Sequence, residues 1–298
     1  MVRAITCALA LCLASGVWAV WTVPTNVGSG VNTSSAEVDP QVTADGSVMY
    51  FGSNRGGGFG GYDIWASGYA GSWQPASNLG GVVNSSSDDR GPAPYFTTYL
   101  YLYFTSTRAG GLGGTDIWRT YYSSGTWNSP LNQTILNSSY EDVQPFILPT
   151  SPAVCFFASN RPGGFGGYDI WASTWGTSNW TAPVNLGSAV NTSADETGAT
   201  TDLGGNVLYF YSNRAGGSGG YDLYKALPSG GSWGTVQNLG SPPNTASYEG
   251  QPGSDSAGAT VYLVSDRSGG MGGYDIWATT NDVAIEPASL GRVKATFK

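Results

Sequence analysis

The chain has 298 residues, of which 13% are aromatic and only 11% charged, with 45 glycines, three cysteines and no histidine. Twelve Lys and Arg against twenty Asp and Glu give a net charge of −8, which leaves no basic stripe for nucleic acid or an anionic membrane, so neither is expected as a partner. The missing histidine excludes Ser/His/Asp and Cys/His nucleophilic chemistry and the usual zinc sites.

Residues 1–19 read as an export signal. Arg3 supplies the positive start, ITCALALCLA the apolar centre, and Val17-Trp18-Ala19 the small residues of a cleavage site. The apolar run falls short of the roughly 20 residues that span a bilayer. The expected setting is therefore the periplasm or the exterior, with no membrane span in the mature chain. Removing the segment takes Cys7 and Cys12 with it and leaves Cys155 alone in the run Val154-Cys155-Phe156-Phe157, where it is expected to act as a small buried hydrophobe.

From residue 20 to 278 the chain repeats itself. An arginine stands eight residues before an aspartate across a glycine-rich bridge at Arg55/Asp63, Arg108/Asp116, Arg161/Asp169, Arg214/Asp222 and Arg267/Asp275, each pair 53 residues after the last. A fixed period of this kind marks solenoids and propellers. Each unit runs from an acidic position through an extended segment, an aromatic strand such as VCFFASNR, the bridge, a second aromatic strand and a Trp-led closing segment. Four short strands per unit make a propeller blade, so the expected fold is an all-β, five-bladed propeller of four-stranded antiparallel blades. The strands are almost continuously apolar, as blades packed on both faces require.

The bridge joins two strands as a hairpin. Its arginine and aspartate are expected to face each other as a bidentate ion pair that locks the loop, which makes these ten residues structural. Gly56, Gly58 and Gly61 match G-x-G-x-x-G, but strands on both sides exclude the dinucleotide motif, which needs a following helix. The Trp-led segments begin at Trp21, Trp73, Trp127, Trp180 and Trp233, so the first precedes the first hairpin and none follows the fifth. The strand near Trp21 is therefore expected to complete the last blade and close the ring. Asn32, Asn84, Asn137 and Asn191 match glycosylation acceptors, yet their recurrence at one blade position points to a turn-shaping role.

The hairpin SNRPGGFGGYDIW, the Asp45-Gly46 turn and the N-T/S-x-x-x-E/D-x-x-P entry resemble the TolB-type, WD-like propeller repeat of bacterial envelope and secreted proteins, over about residues 20 to 278. The resemblance implies an exported scaffold that binds proteins, peptidoglycan-associated partners or carbohydrates, and it implies no reaction. Thr115, Leu223-Tyr224 and Pro149 to Pro152 depart from the repeat in loops and packing.

One acid per blade, Glu37, Asp89, Asp142, Glu196 and Glu249, precedes the entry proline or its equivalent. In similar propellers that position begins the innermost strand, so the five carboxylates are expected around one channel mouth. Such a ring would suit Ca²⁺ or the hydroxyls and amines of a ligand; the competing reading has each acid accepting backbone N–H groups within its blade. No other cofactor is expected. The leading expectation is a monomeric, non-catalytic binding scaffold for a protein or glycan ligand. The alternative is a glycoside hydrolase-like enzyme using carboxylates at the channel mouth, with Asp39, Asp88, Glu141 and Asp195 as candidates, although near-identical repeats tend to give carboxylates like environments. Tyr69, Tyr95, Tyr99, Tyr121, Tyr122 and Trp175 lie off the repeat consensus and are candidate anchors for a partner or a sugar ring. Residues 279–298 break the repeat as a basic, weakly amphipathic tail whose role as free end, edge cover or sorting signal the residues leave open.

Overall fold

The computed structural model describes residues 21–281; the expected export signal and all but the start of the C-terminal tail lie outside the described residues. Five antiparallel sheets form the blades of a propeller. Their innermost strands are Glu37–Val42, Asp89–Phe96, Asp142–Leu148, Glu196–Thr201 and Glu249–Ser254, and these touch one another in cyclic order, the first also meeting the last. Blades I to V are numbered from these strands.

Within a blade the order is that of the chain, so a four-stranded meander runs outward from the axis. In blade III it comprises Asp142–Leu148, Val154–Ser159, Asp169–Thr174 and Val184–Asn185. Blade V takes its outermost strand from the beginning of the chain: Thr25 pairs with Ala278 and Asn26 with Trp277, and Trp21 bridges Asn281. Ring closure by the N-terminal strand covers the edge that Asp275–Thr280 would otherwise expose. Blade II departs from its siblings through longer strands and an added two-residue strand, Thr126–Trp127, on its third strand.

Aromatic and β-branched residues of the second and third strands fill the spaces between blades. Phe156, Ile170, Leu208, Phe210 and Tyr224 pack together between blades III and IV, as the unbroken apolar strands require. Cys155 is fully buried in such a layer, and burial pushes its thiol far above the ordinary range, consistent with a small hydrophobe and not a nucleophile. Among the described residues no helix is long and apolar enough to cross a membrane.

The arginine–aspartate hairpin pairs are not formed. Each arginine pairs instead with the entry acid of its own blade: Arg55 with Glu37 (3.0 Å), Arg108 with Asp89 (2.6 Å), Arg161 with Asp142, Arg214 with Glu196 (3.0 Å) and Arg267 with Glu249 (3.1 Å). The reason is local. Four residues before the aspartate, the glycine bridge turns its N–H groups inward, and the aspartate accepts them: Asp63 from Phe59 (2.6 Å), Asp116 from Leu112 (2.8 Å), Asp169 from Phe165 (2.6 Å), Asp222 from Ser218 (2.5 Å) and Asp275 from Met271 (2.7 Å). A Cβ on Gly58 or its counterparts Gly111, Gly164, Gly217 and Gly270 would collide with that carboxylate, so the bridge needs glycine there. The arginine, two residues past a serine that faces the entry acid across the sheet, folds back over that serine onto the acid.

The asparagines that matched glycosylation acceptors are buried, and each clamps a third-strand residue of its blade. Asn84 Nδ2 donates to the Ile64 carbonyl (3.1 Å) while its Oδ1 accepts from Ile64 N (2.8 Å). Asn32 does the same for Ile276 across the ring closure, which ties the chain's first segment to its last strand.

Candidate functional site

The ring of entry acids is not an open ligand site. Glu37, Asp89, Asp142, Glu196 and Glu249 are fully buried inside the blades, and each is held by its arginine and by the backbone N–H and hydroxyl of a Ser or Thr four residues earlier. A buried carboxylate is tolerable only with such partners. Among the described residues no group of three or more His, Cys, Asp or Glu is placed to hold a metal ion, so nothing supports Ca²⁺ on these carboxylates.

The axial site begins two residues further on. Each innermost strand carries a β-bulge after its second residue, where the register slips, and in blades I, II, III and V a proline, which has no N–H to donate, occupies the slip. The residue before it adopts positive φ: Asp39 (52°), Gly91 (60°), Gln144 (52°), Gly198 (60°) and Gln251 (51°). Glycine takes this conformation freely, whereas Asp39, Gln144 and Gln251 hold it at a cost of about 1–3 kcal/mol each. The three polar side chains meet at the axis. Gln144 Nε2 donates to Asp39 Oδ1 (2.6 Å), and Asp39 N donates to Gln251 Oε1 (3.1 Å). They close the channel, leaving only about 10 Å³ of free space on the far side.

On the near side opens a cup of about 170 Å³. Its floor is Gln144 and Gln251, and its walls include Arg90, Glu141, Tyr168, Thr197, Tyr211 and Tyr221. Arg90 stands where other blades carry Val38, Val143, Thr197 and Gly250. Tyr211 stands where they carry Gly52, Thr105, Ala158 and Val264, and Tyr248 replaces Ala36, Asp88, Glu141 and Asp195. The Tyr211, Tyr221 and Tyr248 rings contact each other at 5.4 to 6.0 Å and Tyr274 joins Tyr248 at 5.2 Å, building an aromatic wall on one side. Gly250 makes room for it, since a Cβ there would strike Tyr248 and Tyr211. The Tyr211 hydroxyl reaches Gln144 (3.2 Å to Nε2) and so ties wall to floor.

Asp39 is buried, its Oδ2 has no hydrogen-bond partner, and burial raises its pKa against the opposing pull of the Arg90 charge and the Gln144 donor. Burial works against the Arg90 charge in turn, but Asp39 above all holds its pKa above the ordinary value. The guanidinium also lies 5.9 Å from the Tyr62 ring. Thr197 Oγ1, on the cup wall, is likewise buried without a hydrogen-bond partner.

The mouth carries the other sequence candidates, with unequal freedom. Asp88 accepts from Tyr62 N (2.9 Å), and Asp195 from Tyr168 N (2.9 Å) and the Tyr221 hydroxyl (2.8 Å). The Glu141 carboxylate has no hydrogen bond to another group among the described residues and lines the cup. Two carboxylates at different repeat positions therefore have unlike environments: Asp39 is dry beneath the floor glutamines and Glu141 stands unencumbered on the cup wall. Sequence reasoning named Asp39 and Glu141 but missed Arg90, Gln144, Tyr211, Tyr248 and Gln251. Their signal was present as departures from the other copies at equivalent positions.

No protein-family model and no curated protein matches this sequence. Among solved structures it is similar to an alpha-L-arabinofuranosidase from Podospora anserina in complex with cellotriose, with TM-score 0.52, 12% identity, and 88% of this chain and 94% of that one covered. It is also similar to an endo-arabinase from Bacteroides thetaiotaomicron (TM-score 0.53, 14% identity, 84% and 96% covered). An exo-beta-1,3-galactanase from Phanerochaete chrysosporium with beta-1,3-galactotriose gives TM-score 0.53 at 14% identity, over 86% of this chain and 64% of that one. The shared element is the propeller. At such identities the likeness shows the fold alone. The expectation of a non-catalytic binding scaffold is corrected to this extent: the similar propellers are named as an arabinofuranosidase, an arabinase and a galactanase, in line with the carbohydrate-active alternative and not with the leading expectation.

Proposed function

We propose that the chain is a carbohydrate-active enzyme whose axial cup cleaves a glycosidic bond. The observation that carries this reading is two carboxylates in unlike environments on either side of the axial floor: Asp39, buried with a free oxygen beneath the floor glutamines, and Glu141, unpaired on the wall of the tyrosine-walled cup. In this reading Glu141 withdraws a proton from the water that attacks the anomeric carbon. Asp39, which burial keeps protonated, donates its proton to the departing oxygen when substrate displaces the Gln144 amide bonded to it. Arg90 and Gln144 orient Asp39, and the Tyr211 and Tyr221 rings, backed by Tyr248, pack against the apolar face of the sugar. The cup of about 170 Å³ is smaller than the roughly 300 Å³ at which pockets for larger ligands begin, and its floor is closed, so one terminal sugar unit is the expected occupant. The TolB-type likeness of the repeat bears on the scaffold, and the export pattern of residues 1–19 suits a substrate outside the cytoplasm.

The test is incubation of the protein with arabinan, arabinoxylan and β-1,3-galactan, scored for new reducing ends. Activity on at least one, lost by about 10²–10⁴-fold in Asp39→Asn and in Glu141→Gln, is the expected result. A chain inactive on the whole panel, or variants as active as the parent, would remove the proposal.

A further inference from the structure

Blade II carries a second set of residues that the other blades lack, two of which, Tyr95 and Tyr101, also pack half-buried against a core layer. Tyr95, Tyr101 and Tyr121 stand directly opposite one another on its first three strands, so their side chains share one face of the sheet. At the equivalents of Tyr101 the other blades place only valine or threonine, at those of Tyr121 glycine, threonine or leucine, and at those of Tyr95 threonine, leucine or aspartate. The ring centroids are 6.4 and 5.8 Å apart with successive tilts of 33° and 43°, a gently twisted ledge. Tyr99, 44% exposed, flanks it at 5.7 Å from Tyr121.

Packing alone does not account for the ledge. None of these four hydroxyls has a hydrogen-bond partner among the described residues, so each is free to bond a ligand. Arg119 stacks over Tyr101 at 5.4 Å and over Tyr103 at 5.9 Å, and no carboxylate of the described residues pairs with it. From Arg90 to Tyr140 the only carboxylate is Asp116, buried under its hairpin, although the whole chain is at −8. An uncharged row of amphipathic rings with free hydroxyls and a stacked guanidinium is chemistry for sugar rings and their hydroxyls. A strongly cationic or purely apolar partner would find little to match there.

We propose that this ledge is a second glycan-binding surface, separate from the axial cup, which holds a polysaccharide chain along blade II. It requires no turnover, so it stands or falls apart from the catalytic proposal.

The experiment is native electrophoresis of the full chain through gels containing arabinoxylan, arabinan or polygalacturonate, against a gel with none. The parent and Asp39→Asn should be retarded alike by at least one polymer. Tyr101→Ala/Tyr121→Ala should bind that polymer about tenfold more weakly while still folding cooperatively. Should that variant misfold, Tyr99→Ala/Arg119→Gln, with Tyr99 at a more exposed position, is expected to show the same loss. A parent that no polymer retards, folded ledge variants that bind as the parent does, or loss of retardation in Asp39→Asn alone would overturn the assignment.

Discussion

The exchange of partners at the hairpin can be tested by asking which carboxylate Arg108 depends on. In blade II its guanidinium donates to Asp89 (2.6 Å), to the Val83 carbonyl (2.5 Å) and to Ser106 Oγ (2.9 Å), and it lies over the Phe104 and Trp118 rings. Asp89 is fully buried and also accepts from Ser85 N (2.6 Å) and Ser85 Oγ (2.8 Å). Removing one partner strands the other in the interior, so Asp89→Ala and Arg108→Ala should each cost about 3–5 kcal/mol. Because the residues are in contact, the double variant should fall short of the sum by about 2–3 kcal/mol. Asp116 serves the Leu112 and Gly113 N–H groups instead, so Asp116→Ala should destabilise the hairpin yet add to Arg108→Ala within about 0.5 kcal/mol. Urea unfolding of the parent, the three single variants and the two doubles reads both couplings. A coupling of Arg108 to Asp116 larger than its coupling to Asp89 would refute the assignment and restore the ion pair across the bridge.

Asp39→Asn should separate stability from activity. The Asp39 pKa is raised in the folded chain, a shift that already includes the pull of Arg90, so its contribution to stability is whole below the ordinary carboxylate range and is lost as pH rises through the folded value. The asparagine variant should therefore melt higher than the parent near pH 7 and lose less stability between about pH 4 and 8, read by calorimetry across that range, while hydrolysis disappears. In the parent the alkaline limb of the rate profile should lie above the usual carboxylate range, where Asp39 loses the proton it donates. Asn84→Ala removes both clamps on Ile64 and should lower stability by about 2–3 kcal/mol, a melting shift of about 4–10 °C for a domain this size. Deleting residues 21–32 bares the edge of Asp275–Thr280 and takes Asn32 with it. Light scattering should then show self-association that the parent lacks.

The period, the blade count and the borrowed strand of blade V were legible because they follow from spacing. Hydrophobic runs bounded by glycine bridges permit few other arrangements, and Thr25–Asn26 lies where the missing fifth segment requires it. The partner of each arginine was not legible. Two carboxylates compete for it, one eight residues ahead and one eighteen or nineteen behind, and sequence distance favours the wrong one. What decides is the demand of the bridge N–H groups, which a string of glycines hides. The axial floor was hidden for a similar reason, because the left-handed turn that aims Gln144 and Gln251 at Asp39 is a β-bulge, and the sequence shows only a proline after each.

Five copies of one unit supply their own control. The residues that all copies share, the buried entry acid and hairpin aspartate and the half-buried arginine, are consumed by the blade itself, and their uniformity reflects a common load. A reaction needs asymmetry about the axis, because a proton donor and a proton acceptor cannot occupy equivalent sites and stay different. That asymmetry appears where single copies depart from the rest. Arg90 replaces small or apolar residues, Tyr211 fills a place that is glycine in blade I, and Glu141 stands free where Asp88 and Asp195 cap a backbone N–H. These departures converge on one cup, although they come from three different blades. Independent drift in a symmetric ring would scatter them over the surface, so their convergence favours selection for a ligand at the axis.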